Sequence, residues 1–170
     1  SGANNTAVGF QSLLNVNTGG RNTALGARTL AGAPSNTANN VAIGTQAMEN
    51  YSPGINFASV AIGNTAMQNS ASYGSVAIGE RAMQNALSSH NVAIGLNAMR
   101  NMTGAQPSAR DNVAIGAMAM QAHTSGVGNV ALGYEALHDG SGSNNLAIGY
   151  FAMRYAAGSA NNNIGLGYEA

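Results

Sequence analysis

The sequence predicts an all-β chain, a parallel β-solenoid (β-roll) of about ten coils, and three observations predict it. A glycine recurs at Gly9, Gly26, Gly44, Gly63, Gly79, Gly95, Gly116, Gly133, Gly149 and Gly167, at intervals of 16 to 21 residues. Each of these glycines closes a short aliphatic run that alternates in size, as in Val41-Ala42-Ile43 and Val92-Ala93-Ile94. The rest of the composition is sparse: 7% charged residues, 5% aromatic, 23 glycines, no Cys and no Trp. Repetition of one unit along a whole chain is the signature of a repeat architecture, and helical repeats need about 33–34 residues per unit. This unit is half that length and elastic, so a stack of strands is expected over residues 1–170 as a single repeat domain.

Each element of the unit has a physical reading. Immediately before the glycine stands a branched aliphatic, two before it Ala in nine of ten copies, and three before it Val in most. Period-two alternation puts the large pair on one face and the Ala on the other, as in a strand. The glycine permits a positive φ or a close backbone approach where the chain turns after the strand. Four before the glycine is Asn or Ser, a residue that tolerates the left-handed region and bonds its own turn. In stacked coils about 4.8 Å apart, these amides are expected to form a ladder along one edge. Past the glycine come two free positions, a small residue and then Met or Leu, as in Ala47-Met48 and Ala136-Leu137. Length varies only between that Met/Leu and the next Asn, in stretches that read as projecting loops. Helical propensity in Glu80-Leu87 allows a short helical turn there.

A coil of this length is thin. The strand Ala and the second small residue (Ala47, Ala66, Ala82, Ala98, Ala119, Ala136, Ala152) suit a narrow interior. That leaves the large aliphatics outside, with the Met/Leu column as a possible companion: Val41, Ile43, Val60, Ile62, Val76, Ile78, Val92, Ile94, Val113, Ile115, Val130, Leu132, Leu146 and Ile148. Such a ladder far exceeds an ordinary exposed apolar patch, and burying each large aliphatic is worth roughly 1.5–3 kcal/mol. Copies of the chain are therefore expected to pack these faces together, most simply as a homotrimer. The opposite assignment, Val/Ile inside and Ala outside, permits a monomer.

Charge and length narrow the function classes. The formal net charge is zero, so there is no basic stripe for a nucleic acid or an anionic membrane surface. No run approaches the ~18 apolar residues of a membrane span. The chain opens on Ser1-Gly2 without an initiator Met, which reads as a piece of a longer fibre.

The tandem Asn-Asn-Val-Ala-Ile-Gly-x-x-Ala units resemble the head repeats of trimeric autotransporter adhesins (YadA-like heads). The opening stretch, from Asn5-Thr6-Ala7-Val8-Gly9-Phe10-Gln11-Ser12-Leu13-Leu14 to Asn22-Thr23-Ala24-Leu25-Gly26, is similar to repeats of bacteriophage tail fibres. The coils here are longer than those of adhesin heads and carry a recurrent Ala-Met, which turns the resemblance toward the phage fibres. It implies a left-handed roll, a homotrimer, residence in a virion and a host surface glycan or outer-membrane protein as partner. The adhesin alternative implies a bacterial cell surface.

Sharper chemistry is scarce. Ile-Gly-x-x-Ala-x matches one hexapeptide of the left-handed β-helix acyltransferases, but the hexads that should follow, Glu49-Gly54 and Ile55-Val60, do not repeat it. The acids Glu49, Glu80, Asp111, Glu135, Asp139 and Glu169 form no repeated pair of the kind glycoside hydrolysis uses. His90, His123 and His138 fall at different coil positions and read as loop histidines rather than as metal ligands. No enzyme activity, cofactor or metal is expected. The methionine column (Met48, Met67, Met83, Met99, Met120, Met153) reads as packing filler rather than a soft-metal stripe. Tyr134, Tyr150 and Tyr168 follow their glycines in successive coils and should stack, either as a structural ladder or as a platform for sugar rings. Tyr51, Phe57 and Tyr73 read as an exposed loop group able to touch a receptor.

Overall fold

The computed structural model describes residues 2–52, 58–103, 109–156 and 160–170. Ten three-residue strands form one sheet: Thr6–Val8, Thr23–Leu25, Val41–Ile43, Val60–Ile62, Val76–Ile78, Val92–Ile94, Val113–Ile115, Val130–Leu132, Leu146–Ile148 and Ile164–Leu166. Their order in space is their order in the chain, every pair is parallel, and Ala pairs with Ala throughout the middle, as in Ala42↔Ala61 and Ala77↔Ala93. The ten rungs are thus joined by nine solenoid turns, a stack of about 45 Å at ordinary strand spacing. Two further pairs of two-residue parallel strands, Ala109–Arg110 with Gly126–Val127 and Ala122–His123 with Asp139–Gly140, widen the later coils.

The strand faces divide as residue size predicts. Ala24, Ala42, Ala61, Ala77, Ala93, Ala114, Ala131 and Ala147 are fully buried, while the Val and Ile beside them are half-buried or exposed. The second alanine column, from Ala47 to Ala152, is buried as well. The methionine column lies inside, as packing filler should, and not on the outer face as a companion of the Val/Ile ladder. Met48, Met67, Met83, Met99 and Met120 are fully buried beside those alanines, with Leu30 and Leu137 in the same column.

The reason lies in the backbone after each glycine, where the expected helical turn does not form. In Glu80–Leu87, Arg81, Met83 and Asn85 have φ of 57°, 52° and 59°, so left- and right-handed residues alternate. The N–H groups alternate with them. Ala82, Gln84 and Ala86 donate within the coil to Gly79, Arg81 and Met83. Arg81 and Asn85 donate to Asn64 and Gln68 of the preceding coil, and Met83 and Leu87 to Ala98 and Met102 of the next. A helix would satisfy these groups within one segment; here half of them stitch neighbouring coils together. A left-handed conformation costs a non-glycine residue roughly 1–2 kcal/mol, and the inter-coil bonds offset this by pairing N–H groups that would otherwise be left without an acceptor. The side chains then no longer alternate between faces, and Ala47 and Met48 both turn inward.

The expected amide ladder is present and continuous. Asn22 Nδ2 donates to Asn5 Oδ1 at 3.1 Å, Asn40 Nδ2 to Asn22 Oδ1 at 3.2 Å and Asn112 Nδ2 to Asn91 Oδ1 at 3.2 Å. The same link runs from Asn129 to Asn112, Asn145 to Asn129 and Asn163 to Asn145. Ser59 and Ser75 carry it across the middle through backbone N–H donors and side-chain oxygens. The left-handed corner, however, belongs to the residue before the ladder: Asn4, Arg21, Asn39, His90, Asp111, Asn144 and Asn162 have φ between 56° and 64°.

Candidate functional site

Two outward surfaces stand apart from the polar remainder. The first is the aliphatic ladder. Strand sterics stand the side chains on either side of each buried Ala out from the sheet, so Val41, Val60, Val76, Val92, Val113 and Val130 form one file. Leu146 continues that file; Ile43, Ile62, Ile78, Ile94, Ile115, Leu132 and Ile148 form the other. Most of these side chains are half-buried, and Ile115 and Ile148 are 41% and 38% exposed.

The second is aromatic. Tyr134 and Tyr150 stack at 5.0 Å between ring centroids and 15° between planes, and Tyr150 and Tyr168 at 5.6 Å and 5°. Phe151 packs against Tyr150 and Tyr134 at 4.2 and 5.6 Å, tilted by 58° and 56°. The Arg154 guanidinium lies over Phe151 at 4.4 Å and over Tyr155 at 4.8 Å. Its Nε approaches Glu135 Oε2 to 2.5 Å, an ion pair made at close range without hydrogen-bond alignment. The Glu135 carboxylate holds the Tyr134 phenol above its usual range, and the charge of Glu169 does the same for Tyr168. The stack has a consequence for the platform reading. Tyr150 gives one ring face to Tyr134 and the other to Tyr168, so it offers solvent an edge and a hydroxyl.

The exposed loop group is corrected at its first member. Tyr51 is fully buried, its hydroxyl donates to Ser59 Oγ at 2.9 Å, and burial pushes its phenol up to about 12. Tyr73 is half-buried, edge-on to His90 at 5.3 Å and 88°. Phe57 lies outside the described residues. His123 is likewise no loop histidine. It is 1% exposed in the strand Ala122–His123, with Nε2 3.3 Å from Gly142 O and Nδ1 without a partner. Desolvation lowers its basicity.

The acids are engaged singly. Glu49 binds Arg28 at 2.5 Å and accepts from Gln46 and Gln68. Gln84 then donates to Gln68 and Arg100 to Gln84, a ladder running from a carboxylate to a guanidinium. Glu80, Asp111 and Asp139 pair with the adjacent Arg81, Arg110 and His138. Among the described residues no three His, Cys, Asp or Glu side chains converge as metal ligands, and no helix is long and apolar enough to cross a membrane. A concavity between Phe151, Met153 and the final strand opens at the edge of the last rung. No family model, curated protein or solved structure matches this chain.

Proposed function

We infer that the chain is a shaft segment of a trimeric fibre, in which three left-handed rolls pack their Val/Ile faces about a common axis. The observation that carries the reading is the uninterrupted aliphatic ladder on the outside of a solenoid whose interior is already full. At rung spacing it is a flat strip on the order of 500 Å², within the roughly 300–600 Å² of the largest apolar patch on a typical monomer. It is thus smaller than the sequence led us to expect, and patches of this size are often functional. A self-complementary strip of this kind suits closed rotational symmetry. The repeat resemblance supports reading such a shaft as part of a virion tail fibre, which it would space and stiffen and through which it would contact a host surface molecule. Catalysis has no part in this reading, since the acids are each tied to a neighbouring cation or phenol.

Sedimentation equilibrium with far-UV CD tests it. The expected result is a β-rich species of three times the 17.0 kDa chain; a folded monomer at micromolar concentration would sink the proposal.

A further inference from the structure

Between the strands Val113–Ile115 and Val130–Leu132 the chain runs through residues 122–128, which belong to no rung of the main sheet. Two pairs of two-residue strands hold this stretch. Ala122–His123 lies on Asp139–Gly140 of the next coil, and Gly126–Val127 on Ala109–Arg110 of the preceding one. Of its side chains only that of His123 is buried; Ala122, Ser125 and Val127 are half-buried and Thr124 is exposed. One ring therefore pins the stretch to the core, and that ring can take a proton.

The surroundings of the ring suit its neutral form. Asn129 Nδ2 directs its hydrogens to Asn112 Oδ1 at 3.1 Å and Gly142 O at 2.8 Å. The network thus assigns the proton of His123 to Nε2, 3.3 Å from the same Gly142 O, and leaves Nδ1 without a partner. Gly140 stands over His123 in the next coil, where a Cβ would come within 3.2 Å of Nδ1. The charged groups of the adjoining coils are engaged elsewhere. Asp139 stands over Ala122 and binds His138, Arg110 pairs with Asp111, and Glu135 holds Arg154. In the preceding coil the place of His123 is taken by the buried Met102. A second proton would put an uncompensated charge in the lumen, and burial outweighs the pull of the Gly142 and Ser125 carbonyls.

We propose that residues 122–128 are an acid-opened joint in the rod: when His123 takes up a second proton its ring leaves the lumen and the stretch separates from both neighbouring coils, while the ten-strand sheet stays closed. Little else holds the stretch. Ala122 N and Thr124 N donate to His138 O and Gly140 O, Val127 N to Ser143 Oγ, and Gly128 N to Arg110 O. Water replaces such bonds at small net cost, and segments with few buried apolar contacts open first. Tyr51 and Met102 pin their own coils at the same position with groups that do not ionise in acid, so the joint is confined to this coil. The inference goes beyond the shaft reading and is independent of it, because His123 lies in the lumen and not on the Val/Ile face.

Hydrogen–deuterium exchange of the full chain, read peptide by peptide from neutral pH down to about pH 5 and corrected for the intrinsic rate, tests the joint. Opening returns the ring to its ordinary pKa of 6.5. The opening constant of residues 122–128 should therefore rise about tenfold per pH unit below that value and level off at the lowered folded one. The strands from Val41–Ile43 to Val92–Ile94 should keep their protection. His123→Gln and His123→Met, the latter copying Met102, should flatten the slope, and His138→Gln should leave it. A flat slope in the unaltered protein, a slope that survives in the His123 variants, a slope lost in His138→Gln, or loss of protection in every coil at once overturns the proposal. Three of these outcomes are read on protein that keeps His123, so they stand even where the His123 variants fail to fold. Sedimentation of the same samples reads the shaft separately. A monomer that opens at 122–128 keeps the joint and removes the trimer, whereas a trimer with a flat slope does the reverse.

Discussion

Replacing Gly79 by alanine measures how closely the coils are held. Gly79 has φ of +133°, and a Cβ there would lie 2.5 Å from Gly95 O and 2.7 Å from Gly95 C. Both obstacles are backbone of the next coil, so no side chain can swing aside. Ordinary contact begins near 3.4 Å, and the rungs would have to part by about 0.9 Å to reach it. The bond from Gly95 N to Ile78 O is 2.8 Å long, and stretched by that amount it passes the roughly 3.2 Å limit for N–H···O. A lost buried backbone bond costs about 1–3 kcal/mol, and the φ, foreign to L-residues, about 1–3 kcal/mol more. Gly79→Ala should therefore lose about 3 kcal/mol or more. Glu80→Ala at the next position removes only an exposed pair with Arg81 and should stay within about 0.5 kcal/mol. Guanidinium unfolding followed by far-UV CD, at one protein concentration, gives both values. A Gly79→Ala loss under about 1 kcal/mol would refute the close approach of the rungs.

Ile78→Asp places a carboxylate on the outer ladder and should dissociate the proposed trimer while keeping the β-type CD spectrum; sedimentation velocity would show slower, folded protein. Met83 is fully buried, so Met83→Ala should cost about 2–5 kcal/mol. Met83→Leu should cost under about 1.5 kcal/mol, since Leu30 and Leu137 hold the same column with φ of 56° and 49°; chemical denaturation of the pair checks the ordering. His123, whose folded pKa is lowered from 6.5 by desolvation, contributes its full stability above pH 6.5 and loses it as pH falls through the depressed value. Unfolding midpoints should drop on acidification and drop less in His123→Gln, equal slopes being the negative result. Tyr51 runs the other way. With its phenol raised from 10.0 to about 12, its contribution is complete below pH 10 and lost on the rise to about 12, and Tyr51→Phe should remove the last step of a 295 nm alkaline titration.

The strand half of the coil was legible because ten copies repeat it in one register, and because Ala and Ile differ enough in size to say which face is narrow. The amide ladder was legible for the same reason: Asn or Ser stands at one fixed distance before every glycine. The other half was not. Gln46, Met48, Asn50 and their counterparts carry positive φ, yet only Asn among these types favours it. What permits the conformation is the bond from each such residue to a neighbouring coil, a non-local term that residue preference does not contain. Once the hand alternates, period-two counting fails, which is why counting alone left the face of the Met column open while residue type pointed to packing filler.

The buried Tyr51 and His123 had a signal after all, and it is positional. Counting seven residues past the glycine reaches Tyr51 from Gly44, Met102 from Gly95 and His123 from Gly116. All three are fully or almost fully buried, and each touches the polar ladder. Tyr51 meets Ser59, Met102 Sδ lies 4.0 Å from Asn91 Nδ2, and His123 Nε2 lies 3.4 Å from Asn129 Nδ2. Elsewhere the same position holds Ala33, Ser70, Ala86 or Gly140. The coils carrying Tyr51 and Met102 are the two longest, 19 and 21 residues from glycine to glycine. Each of these side chains fills core space that a smaller residue would leave empty, and an unfilled core forfeits packing. In those two coils extra length and a large residue come together, whereas the 17-residue coil from Gly116 carries His123 at ordinary length. The elastic half of the coil is therefore not only projecting loop, because its first residues enter the buried core and meet the polar ladder.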